Sequence, residues 1–144
     1  MGQISMFGMT KKQFLKRSKK VLNETGSLLL FIREIMDKEA SGKISSEESS
    51  KQIENIRKNI ESIFFEFEKR NPPSKYVAMQ LRILRALVNM QEAVTLYSEY
   101  LKATKTGLEE KSMNKLKESK ETLEEFRKEF HSIVNEVNNL QLNK

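Results

Sequence analysis

Cysteine is absent from the 144-residue chain, so it holds no disulfide, no thiolate nucleophile and no thiolate-ligated metal. Histidine occurs once, at His131, which leaves no paired Glu-x-x-His elements for a zinc or di-iron bundle. Tryptophan is missing, Asp37 is the sole aspartate beside 19 glutamates, and the two prolines are adjacent at Pro72 and Pro73. The longest uninterrupted apolar run, Leu28-Leu29-Leu30-Phe31-Ile32, is far short of the roughly 20 residues that span a bilayer. The opening Met1-Gly2-Gln3-Ile4-Ser5-Met6 lacks a signal-peptide h-region, and Met6 stands where a myristoylation motif wants Ser or Thr. No phosphate loop, nucleophile elbow or dinucleotide fingerprint occurs. The expectation is a cytoplasmic protein that is not an enzyme, with no cofactor, no metal and no small-molecule substrate.

What is present is charge and helical periodicity. The net charge is +6, and Lys11, Lys12, Lys16, Arg17, Lys19 and Lys20 account for all of it, because residues 1–22 contain no acid. The protein is therefore a neutral body with one basic end. Hydrophobic residues make up 38% of the chain, enough for a core.

The apolar residues fall into four helical stripes. Thr10 and Gln13 form a capping-box pattern, and Phe14, Val21, Leu22, Leu28, Leu29, Ile32, Ile35 and Met36 carry a stripe toward Gly42. Ser45 and Glu48 repeat the box before Ile53, Ile56, Ile60, Ile63 and Phe67. Pro72-Pro73, with Asn71 as cap, reads as the start of a third helix. Thr106-Gly107-Leu108-Glu109 ends it and opens a fourth, on which Leu116, Leu123, Phe126, Phe130, Ile133, Val137 and Leu140 align. The predicted fold is all-α: an up-down-up-down four-helix bundle of long antiparallel helices at about 10–41, 46–70, 72–105 and 107–140. An N-terminal arm of residues 1–9 precedes a single bundle domain over 10–144.

The third helix is apolar around most of its circumference. Tyr76, Ile83, Leu87, Met90, Val94, Tyr97 and Leu101 form one stripe, and Val77, Leu81, Leu84 and Val88 form a second. Such a helix is buried on several sides. Either the arm, through Ile4, Met6, Phe7 and Met9, covers the surplus, or a protein partner or second copy does. Met79, Ile83, Met90 and Tyr97 are the candidate interaction surface.

The basic start of the first helix opposes its own macrodipole, which favours acids there. Lys12, Lys16, Lys19 and Lys20 lie within one helical arc and form a candidate anion patch for an anionic membrane or, non-specifically, nucleic acid. No aromatic residue interleaves them as base stacking would require. Ser18, Thr25, Gln80, Gln91, Ser98, Ser112 and Ser119 fall in or beside the stripes, as register-setting residues or as the lining of a small-ligand sensor site. Protein–protein association is the leading expectation, with anion docking second and the ligand sensor third.

Asn71-Pro72-Pro73-Ser74-Lys75-Tyr76, a Leu-rich helix, Tyr97-Ser98-Glu99-Tyr100-Leu101, a tight turn and a Lys/Glu-rich last helix resemble small helical-bundle proteins of Gram-positive bacteria. The resemblance covers roughly residues 65–140. It implies the bundle fold, and lipid anchoring at the cell surface in several such proteins, although this sequence lacks their lipobox cysteine. It implies no functional residue.

Overall fold

A computed structural model describes residues 8–142. Four long helices carry the chain: α1 (Lys11–Ala40), α2 (Ser46–Glu68), α3 (Val77–Lys105) and α4 (Glu109–Leu142). They form an all-α four-helix bundle. Sequential neighbours pack side by side, α4 closes back onto α1, and α1 and α3 touch across the middle. The expected arm residues Ile4, Met6 and Phe7 lie outside the described residues.

Local chemistry sets the helix ends. At Thr10 the capping box is complete: its Oγ1 accepts from the Gln13 N–H at 3.1 Å, and its own N–H donates to Gln13 Oε1 at 2.9 Å. At Ser45 only half of the predicted box is made, since Ser45 Oγ accepts from the Glu48 N–H at 3.0 Å. Gly42 and Gly107, with φ of 75° and 76°, turn the chain out of α1 and α3. Each is followed by an N–H reaching back five residues, Lys43 to Lys38 O at 2.8 Å and Leu108 to Ala103 O at 2.9 Å. Two orphan carbonyls are thereby satisfied without side chains.

The α2–α3 connection departs from expectation. α2 ends at Glu68, and Pro72-Pro73 does not open a helix. Pro73 keeps an extended ψ of 146°, a 3₁₀ turn follows at Ser74–Tyr76, and the α-helix begins at Val77 with no side-chain cap. Sterics delay the start: each proline pushes the residue before it out of helical geometry, so Asn71 and Pro72 are kept from opening a helix. Gln80 compensates from inside α3, its Nε2 donating to Phe67 O at 3.1 Å and Arg70 O at 2.7 Å.

The core runs the length of the bundle. Near this end the Phe14 ring lies 6.1 Å from Phe67 and 5.5 Å from Tyr76, joining α1, α2 and the turn before α3. α3 and α4 are the closest pair. Small buried residues permit it: Ala86, Ala93 and Ser119 lie in the interior, and Ser119 Oγ donates to Ala93 O at 2.7 Å. On the outer edge of this pair Arg82 binds Glu129, Glu136 and Ser132 of α4.

Candidate functional site

The four residues expected to form an interaction surface do not reach the surface. Met79 is 7% exposed, Ile83 1%, and Met90 and Tyr97 0%. All four belong to the one hydrophobic core, so a stripe read as a seam for a partner is the core of the monomer. The correction has a simple origin: α3 has two apolar stripes, and the longer one is the one a bundle consumes. The shorter one remains outside. Val77 is 43%, Leu81 48% and Val88 51% exposed, with Leu84 buried at the stripe's inner margin.

The basic end is the second distinctive surface. Of the expected patch, Lys16 and Lys20 line a cleft of about 670 Å³ together with Arg17, Lys69 and Arg70. Lys12 is exposed outside that cleft, and Lys19 reaches α4, where its Nζ donates to Gln141 Oε1 at 3.2 Å. Residue spacing along α1 did not reveal Lys69 and Arg70. The readable signal was topological, since an antiparallel α1–α2 pair brings the residues before Pro72 back beside the start of α1.

Backbone acceptors around the cleft are already taken. Gln80 occupies Phe67 O and Arg70 O, and the Met9 N–H donates to Asn71 O at 2.9 Å. Gly8 allows that last contact: its φ is 99°, and a Cβ there would stand 2.9 Å from Asn71 O. Glu24 and Glu66 line an adjoining concavity with Arg17 and Lys20, and Glu66 stands 3.8 Å from Lys69 Nζ and 3.7 Å from an Arg70 nitrogen, longer than a hydrogen bond. Among the described residues Lys16, Arg17 and Lys20 have no ion-pair partner, and the buried Arg70 Nε makes no hydrogen bond.

The interior polar residues spend their bonds locally. Thr25 Oγ1 donates to Val21 O at 2.7 Å, Ser112 Oγ meets Thr104 Oγ1 at 2.6 Å, and Gln91 Nε2 reaches Arg57 O at 3.5 Å. Ser18 is fully buried with its hydroxyl unpaired.

At the opposite end Glu39 Oε1 accepts from Tyr97 Oη at 3.3 Å and Tyr100 Oη at 2.7 Å. Burial first, then the Glu39 carboxylate, raises both phenols, with Tyr100 pushed up to about 12. His131 is exposed on α4 against the Phe130 ring. Among the described residues no three His, Cys, Asp or Glu side chains gather as metal ligands, and no helix is long and apolar enough to cross a membrane.

No family model matches the chain, and no curated protein or solved structure does either.

Proposed function

We propose that this protein acts without catalysis, by association through the outer face of α3, and that the partner is a second copy of itself. The observation that carries the reading is the exposure of Val77, Leu81 and Val88 along one line of a helix whose opposite face is fully buried. With Leu84 the stripe reads Val–Leu–Leu–Val at spacings of four, three and four, the same in both directions. A two-fold axis between Leu81 and Leu84 sets Val77 opposite Val88 of the other copy, while Leu84, buried in the monomer, offers only its outer edge to Leu81. Self-complementarity of this kind is what an isologous dimer requires. The seam is short, so the expected dissociation constant is on the order of micromolar.

Light scattering after size exclusion tests it on the full chain. The expected result is a dimer mass at tens of micromolar (roughly ten times that Kd). Leu81→Glu and Val88→Glu should give monomers with unchanged helicity, because both side chains already meet solvent. A wild-type monomer throughout that range removes the reading. Met90→Glu separates core from surface, since a charge at a fully buried position without a partner should unfold the chain.

A further inference from the structure

The cleft at the basic end has a composition that the fold does not need. Lys16, Arg17 and Lys20 come from the second and third turns of α1, Lys69 and Arg70 from the segment leaving α2, and among the described residues Glu66 is the acid that forms ion pairs with them. Glu66, at 3.8 Å from Lys69 and 3.7 Å from Arg70, offsets only part of the repulsion among five cations around one concavity. The neighbouring carbonyls of Phe67, Arg70 and Asn71 already accept hydrogen bonds, so the polar groups left to face the cleft are chiefly donors. The Arg70 Nε–H is buried and lacks an acceptor. An oxyanion in the cleft would supply acceptors for the accessible ammonium and guanidinium N–H groups and the countercharge together.

We propose that this cleft binds a multiply phosphorylated group, held by Lys16, Arg17, Lys20, Lys69 and Arg70. Phosphate is favoured over carboxylate on two grounds. Two guanidinium forks and three ammonium groups match an anion carrying several charges on many oxygens. The volume of about 670 Å³ also admits more than one phosphoryl group. Such a group can be free in solution or carried on a lipid head group; the chemistry of recognition is the same. This cleft lies at the end of the bundle where α3 begins but uses none of the residues of its apolar stripe, so its binding test is read separately from self-association.

Calorimetric titration of the full-length protein with sodium tripolyphosphate at low salt is the experiment. Saturable binding is expected. Lys69→Gln/Arg70→Gln should weaken it about tenfold or more, since each removes a charge-assisted contact. Lys16→Gln/Lys20→Gln should act likewise from the other wall, which guards against a folding defect peculiar to Arg70. Lys12→Gln/Lys19→Gln removes the same charge outside the cleft and should have a much smaller effect. Vesicles of phosphatidylcholine containing a phosphatidylinositol bisphosphate distinguish the sources. Binding that tripolyphosphate competes away indicates a head group, and tripolyphosphate binding without vesicle binding indicates a free ligand. Absence of tripolyphosphate binding overturns the proposal. So does equal weakening by all three charge-matched pairs, which would reduce the cleft to a diffuse positive field.

Discussion

At the scale of single residues, two buried groups set sharp expectations. Ser18 is sealed in α1 with its hydroxyl unpaired, so it bears the desolvation cost of a polar group without a compensating bond. Ser18→Ala removes that cost and adds helix propensity, and should stabilise the protein by about 1 kcal/mol in urea unfolding. The Tyr97–Tyr100–Glu39 cluster sets the second. Both phenols are raised in the folded state, so folding favours their neutral form. Their contribution is fully present below pH 10, the ordinary phenol value, and is lost as pH rises toward about 12. Denaturant midpoints should therefore fall across that interval. Glu39→Gln removes the carboxylate and should let the phenolate absorbance of Tyr100 appear at lower pH than in wild type.

The scale of the element separates what was legible from what was not. Four of the five helix starts or stops written in side chains and glycines are where the sequence places them: Thr10 with Gln13, Gly42, Ser45 and Gly107. Stripe periodicity also located the core of α1, α2 and α4, because each of those helices has one apolar face and leaves no choice. α3 has two, and periodicity alone cannot rank them; contact with both α2 and α4 does. The α2–α3 turn was misread for a related reason. A proline after Asn71 suits a first turn, but the second proline and the long-range cap from Gln80 decide the outcome, and the partner of Gln80 lies 13 residues away. Gln80→Leu keeps the bulk and deletes both hydrogen bonds to Phe67 O and Arg70 O. It should cost about 1–3 kcal/mol, measured by chemical unfolding, because Arg70 O loses its side-chain donor while Phe67 O keeps only the Arg70 N–H at 3.1 Å. The cleft escaped the sequence similarly: two of its five cations lie some fifty residues beyond the other three, and only the antiparallel return of α2 unites them.

For the whole molecule, the uneven charge matters most. Like charges at one end repel across any pairing that brings two such ends near each other, and the Debye length shrinks from roughly 30 Å at 0.01 M salt to about 8 Å at physiological strength. Self-association through α3 should therefore strengthen as salt rises, whereas occupancy of the basic cleft by tripolyphosphate should weaken. Parallel mass and titration measurements at two salt concentrations check both signs. A dimer that dissociates with added salt would contradict an apolar seam.

The apolar stripe occupies residues 77 to 88 of a helix that continues to Lys105, and this off-centre position governs shape. A two-fold axis near its middle leaves more than twenty residues of α3 projecting beyond it in each copy, roughly 34 Å at 1.5 Å per residue. The paired α3 helices then overlap only near their N-terminal thirds and extend end to end over roughly 65–70 Å, against roughly 50 Å for α4 alone, with its 34 residues. Such an object tumbles and sediments more slowly than a side-by-side dimer of equal mass. Its frictional ratio would report the register of the pairing before any atom of the interface had been seen.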